Sequence, residues 1–156
     1  MSDFDLTRYL PYLVNRTGVR IATAFTEVLK EYAITLQMWR VLAALDHADG
    51  QRVSDLGALT SIDVSTLSRI VDAMEEKGLV ERHRGNGGDA RVVTVHATKN
   101  GQALTAKLIP LARHYEEVAL RGFTADEEQA LKAMLVRVYR NIAALEEEAT
   151  AKTKAA

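Results

Sequence analysis

The sequence predicts a mainly α-helical protein interrupted once by a small β-hairpin. Three observations predict it. Apolar residues recur at steps of three and four along most of the 156 residues, only two prolines break them, and between residues 79 and 96 the pattern changes to that of strands around a glycine-rich tip. Hydrophobic residues make up 47% and charged residues 26%, a balance that lets a chain of this length bury a core and stay soluble. No apolar run approaches the ~20 residues of a membrane span and no signal-peptide pattern opens the chain. A cytoplasmic location without a membrane partner is therefore expected. The absence of cysteine excludes disulfides, thiolate metal sites and cysteine-based oxidation sensing.

The first long helix is carried by Leu10, Leu13, Thr17, Ile21, Ala24, Val28 and Leu29 on one face, with Pro11 in its first turn and Asp5–Leu10 as a lead-in. A second helix runs from the N-cap Thr35 to about His47, and Asp49-Gly50 marks a turn. Val53–Ser61 forms a short helix with Leu56 and Leu59 as core residues. After a break at Ser61–Asp63, Asp63 caps a longer helix in which Val64, Leu67, Ile70, Val71 and Met74 recur at helical spacing. Gly78 ends it as a residue able to turn left-handed. Two short helices joined by a tight turn make a helix-turn-helix.

Leu79–Arg84 and Arg91–His96 then read as strands, with Gly85-Asn86-Gly87-Gly88-Asp89 as the hairpin tip, or wing. Thr98 caps a helix with Leu104, Leu108, Leu111, Ala112 and Tyr115 on its buried side, which Pro110 kinks or divides. Thr124 and Glu127 form a capping box for the last helix, striped by Leu131, Met134, Leu135, Val138, Ile142 and Leu145. The tail from Ala149 is expected to fray.

This order of elements resembles the multiple-antibiotic-resistance regulator (MarR) family of winged helix-turn-helix proteins over nearly the whole chain. The sharpest pieces are Val64–Arg69 leading to Met74-Glu75-Glu76-Lys77-Gly78-Leu79-Val80, the wing signature Asp89-Ala90-Arg91, and Thr98-Lys99-Asn100-Gly101. The resemblance implies one domain over residues 1–156. A winged helix-turn-helix DNA-binding lobe spans about 33–98, and the segments at about 1–32 and 99–148 supply dimerisation helices that interdigitate. It also implies a homodimer, more often a repressor than an activator, and usually a small phenolic or acyl effector that releases DNA. No cofactor is expected.

A helix entering the major groove presents its N-terminal residues to base edges. From the cap at Asp63, those are Ser65, Thr66, Ser68 and Arg69. Arg69 is suited to a two-pronged bond to guanine, while the serines also fit as ordinary surface residues. The net charge of −1 gives no overall basic signature, so charge must act locally. The wing supplies it: Arg82, His83, Arg84 and Arg91 stand against the single acid Asp89. Arg84, Asn86 and Arg91 are the wing candidates for DNA contact, the glycines allowing a narrow tip to enter the minor groove. By resemblance Asp89 braces the tip and aims Arg91. The alternative is a solvated hairpin whose charges only prevent edge aggregation. Two apolar-striped helices at the chain ends, around one reader, favour a dimer on a pseudo-palindromic operator.

Effector candidates are Tyr12, Arg16, Arg20, Trp39 and Arg40, with Tyr9 nearby. Arg16 and Arg20 share a helix face and are placed to hold the carboxylate of a small aromatic acid, or an acyl thioester. Trp39 fits either a pocket wall or the core. His47, His83, His96 and His114 are scattered without metal-ligand spacing, and no phosphate loop, nucleophile elbow or close acid pair stands out. An enzyme is not expected. The competing reading is a winged-helix module that binds a protein partner, which salt dependence distinguishes from DNA binding.

Overall fold

The structure, a computed structural model, describes residues 4–84 and 93–154, with side chains as far as residue 145. The chain divides into two units, residues 1–115 and 116–156.

In the first unit, Asp5 caps a short 3-10 helix at Leu6–Arg8, and helix α1 (Leu10–Glu31) follows with Pro11 in its first turn. Helix α2 (Leu36–His47) starts where the Thr35 hydroxyl accepts the Met38 N–H at 3.2 Å. Strand β1 (Gln51–Arg52), helix α3 (Val53–Thr60) and helix α4 (Val64–Glu76) lead to strands β2 (Val80–Arg84) and β3 (Val93–Ala97). The sheet is antiparallel in the order β1-β3-β2, with Arg82 opposite Val95 and Arg84 opposite Val93. The third strand, β1, has too few residues to leave an alternating pattern in the sequence.

Helix α4 ends as its composition requires. Lys77 is the C-cap, and Gly78 takes φ +65. The Gly78 N–H donates to Glu75 C=O at 2.8 Å and the Leu79 N–H to Met74 C=O at 2.9 Å, the two bonds of a Schellman motif. The chain can therefore reverse within two residues and lay β2 back along α4.

The core joins α1, α2, α3, α4, the sheet and helix α5 (Lys99–Ala119) through Leu29, Leu42, Leu45, Leu56, Leu67, Met74, Val95 and Leu108, all nearly or fully buried. Leu67 carries the inner face of α4 onto this core, so Leu67→Ala is expected to cost about 2–5 kcal/mol in urea unfolding.

Two sequence expectations are corrected. Leu59 is 55% exposed; α3 turns Leu56, Gly57 and Thr60 inward, and Leu59 falls outside that arc. Pro110 does not divide α5, which runs unbroken to Ala119. Helix α6 spans Ala125–Lys154.

The second unit contains the end of α5 and helix α6. The expected capping box is present: the Glu127 N–H donates to Thr124 Oγ1 at 3.3 Å, and the Thr124 N–H to Glu127 Oε2 at 2.8 Å. Lys132 Nζ lies 2.8 Å from Glu116 Oε1 and 2.5 Å from Glu128 Oε1. Met134, Leu135, Val136, Tyr139, Ile142 and Leu145 are all exposed, as are Leu10, Leu13, Val14, Val19 and Ile21 on α1. No helix of the described residues is long and apolar enough to cross a membrane.

Candidate nucleic-acid interface

The first turn of α4 is built around one carboxylate. Asp63 Oδ1 accepts the Ser65 N–H at 2.9 Å, the Thr66 N–H at 3.2 Å and the Ser65 hydroxyl at 2.5 Å. These bonds, led by the Ser65 hydroxyl, hold the carboxyl below the ordinary aspartate range. Because the folded value is lowered, the cap's contribution is complete above the unfolded aspartate pKa of about 3.9 and is lost as pH falls through the folded value. Below about pH 4 the first turn of α4 should therefore fray, seen as faster amide exchange at Ser65 and Thr66 relative to an uncapped reference turn. Asp63→Asn should flatten that extra pH dependence.

The cap also defines what the helix offers. Ser65 has spent its hydroxyl proton on Asp63, so towards a ligand it presents lone pairs. Thr66 and Arg69 are exposed, and Arg69 has no charge partner among the described residues. Ser68 is half-buried. Val64, one of the residues that recur at helical spacing along α4, is 51% exposed at the start of the helix. Leu67, Val71 and Met74 face the core.

On the wing, Arg84 is exposed and unpaired among the described residues. Side chains alternate along a strand, so Arg84 lies on the same sheet face as Arg82 and the buried Val95, the face that meets α4. Asn86, Asp89 and Arg91 lie outside the described residues, as does the glycine-rich tip.

The other wing charges are not free. Arg82 Nη1 is 2.7 Å from Asp72 Oδ1 and also bonds Glu75 Oε2, and its Nη2 donates to the Ser68 carbonyl at 3.0 Å. Counting Arg82 towards a DNA-facing positive charge is therefore a mistake: two α4 carboxylates neutralise it. His83 stacks on His96 with ring centroids 4.4 Å apart and sits 3.0 Å from Glu81 Oε1. His96 Nδ1 is 3.1 Å from Asp49 Oδ2, and Asp49 Oδ1 accepts the Ala97 N–H at 2.9 Å. Burial pushes the Asp49 carboxyl up, but the bonds from Ala97 and His96 outweigh it and leave the value lowered. Asp49 thus clamps the turn before β1 to the end of β3, a contact across 48 positions that no local pattern announces.

The effector candidates do not form one cluster. Tyr12 and Arg16 meet, Arg16 Nη1 donating to the Tyr12 hydroxyl at 3.2 Å. Arg20 and Arg40 are exposed. Trp39 packs edge-on against Phe25 at 5.6 Å, and Phe25 in turn against Tyr115 at 5.4 Å. Phe25 lies thirteen residues beyond Tyr12, roughly 20 Å along α1, so Trp39 belongs to the core edge rather than beside the Tyr12–Arg16 pair. No group of three or more metal-ligating side chains occurs among the described residues.

A helix-turn-helix followed by an antiparallel hairpin is the architecture of a winged-helix protein. The MarR family sequence profile matches residues 34–92. The transcriptional repressor NicR of Pseudomonas putida is 28% identical over 133 residues, covering 85% of this chain and 83% of that protein. A MarR-family transcriptional regulator from Silicibacter pomeroyi is 31% identical with a TM-score of 0.81, covering 91% of this chain and 95% of that one. BpsR of Bordetella bronchiseptica, whose structure concerns regulation of DNA binding by 6-hydroxynicotinic acid, shares the fold at a TM-score of 0.79 and 21% identity, covering 88% of this chain and 98% of that one. The chain belongs to the MarR family of transcriptional regulators.

Proposed function

We propose that the protein is a homodimeric repressor that holds a pseudo-palindromic operator and releases it when a small aromatic carboxylate or acyl thioester binds. Ser65, Thr66, Ser68 and Arg69 enter the major groove, while Arg84, Asn86 and Arg91 follow the adjacent backbone and minor groove, with Asp89 bracing the tip. The observation that carries this reading is that Arg69 and Arg84 are both exposed and unpaired among the described residues, one residue beyond Ser68 and two beyond Arg82, the pair whose bond joins α4 to the wing. An exposed, unneutralised arginine near the start of a helix suits a phosphate or a guanine edge. The repressor name of NicR supports the direction of regulation.

Duplexes selected from a random library supply the probe. Arg69→Ala should relax preference at one operator position, costing roughly 1–3 kcal/mol there. Arg84→Ala should weaken all duplexes alike and flatten the salt slope by about one unit. Unchanged affinity, preference and slope in both variants would remove the interface from these residues.

The aromatic-acid regulation described for BpsR supports an effector of that class here. Arg16 and Arg20 hold its carboxylate near Tyr12, and Arg40 lies on the next helix. The effector favours a dimer whose recognition helices no longer match successive major grooves. Linkage then requires operator DNA to weaken effector binding by the same factor.

A further inference from the structure

We propose that Arg82 is a positioning residue: it braces the wing against the recognition helix, sets the offset between Arg69 and Arg84, and contacts no phosphate itself. The proposal rests on the DNA-reading function above. Residue type and place in the chain both suggest the opposite, since Arg82 is one of the wing's basic residues. Its surroundings decide otherwise.

Arg82 reaches three positions of α4 at once: the Ser68 carbonyl, Asp72 and Glu75. These lie four and three residues apart, one stripe of about 10 Å along the helix. A fourth bond ties the backbone, for the Arg82 N–H donates to Glu75 Oε1 at 2.8 Å. Glu75 thus receives the main chain with one oxygen and the guanidinium with the other. The side chain of Arg82 is only 22% exposed, and the residue opposite it on β3, Val95, is fully buried. One cation between two carboxylates leaves the cluster negative, which repels phosphate.

The brace also sits where it can matter. Ser68, whose carbonyl it holds, directly precedes Arg69. Arg84 lies two residues beyond Arg82 on the same face of the strand. Any slip of β2 along α4 moves one candidate contact relative to the other. Lysine cannot replace this device, because its three donors radiate from a single point, whereas guanidinium spreads five over a rigid plane.

The test compares the wild type, Arg82→Lys and the double variant Asp72→Asn/Glu75→Gln. Each is measured against the best library-selected duplex and an unrelated duplex over a salt series, at temperatures well below each protein's Tm. The ratio of the two affinities should fall about five- to tenfold in Arg82→Lys, with the salt slope unchanged. The double variant should lose the same discrimination although it gains two units of positive charge, while its binding to unrelated DNA holds or rises. A salt slope about one unit lower on both duplexes in Arg82→Lys would make Arg82 a phosphate contact and overturn the proposal. Full discrimination in both variants, with only Tm lowered, would overturn it as well. Wild-type protein that fails to discriminate between the duplexes would sink the DNA-reading function, and this inference with it. Discrimination kept by the wild type and by every variant would sink the brace alone.

Discussion

Leu135→Glu combined with Ile142→Glu is expected to produce a monomer whose operator affinity falls by about three orders of magnitude or more. Both side chains are large, apolar and exposed on α6, at 42% and 54%. They are flanked by Met134, Tyr139 and Leu145, also exposed. A soluble protein rarely leaves so continuous an apolar face to water unless a partner covers it. In a two-fold dimer each substitution counts twice, removing about 0.7–1.5 kcal/mol of apolar burial per side chain, roughly half of a full burial, and placing charge in an apolar seam. Glutamate is a good helix former, so helicity should survive and separate lost assembly from lost folding. A monomer retains one reader and can engage only one half-site. Sedimentation that still finds a dimer would remove these residues from the interface.

Among the described glycines, Gly101 should tolerate a methyl group least, so Gly101→Ala is expected to be strongly destabilising. A Cβ at this position would lie 2.1 Å from the Leu79 carbonyl oxygen and 3.5 Å from Leu42 Cδ2. The nearest obstacle is backbone, and that backbone is already tied. The Leu79 carbonyl accepts the Thr98 N–H at 3.1 Å, and the Thr98 hydroxyl donates to the Gly78 carbonyl at 2.6 Å while accepting the Gly101 N–H at 3.1 Å. The start of α5 is thereby locked onto the link between α4 and β2. Alanine gains about 1 kcal/mol in helix propensity, but forced overpacking against fixed backbone costs about 3 kcal/mol or more, so the steric effect decides the sign. Urea unfolding at one protomer concentration should show a lower midpoint with an unchanged slope. An unchanged or higher midpoint would show that the first turn of α5 yields easily.

Much of this fold was legible because its punctuation is local. Asp63 caps within three residues, Gly78 terminates within two, and Thr124 with Glu127 closes a box within one turn. Each signal is complete inside the stretch that reports it. What stayed hidden depends on contacts between distant segments. Strand β1 exists because β3 offers it an edge. The inward arc of α3 is set by its neighbours, so Leu59 could not be excluded from the core by spacing alone. Arg82 reads as a DNA-facing charge until the reversal at Gly78 brings it against Asp72 and Glu75. Trp39 reads equally as pocket wall or core until Phe25 and Tyr115 take it. The wing candidates Asn86, Asp89 and Arg91 rest on the sequence alone.

Hydroxyl-radical footprinting of the wild-type protein on its best selected duplex decides whether two copies of one winged helix read a two-fold DNA site. Two protected tracts related by a dyad are expected, with centres about 34–36 Å apart or a multiple of that, fading as salt rises. A single tract, or protection independent of sequence and salt, would contradict it.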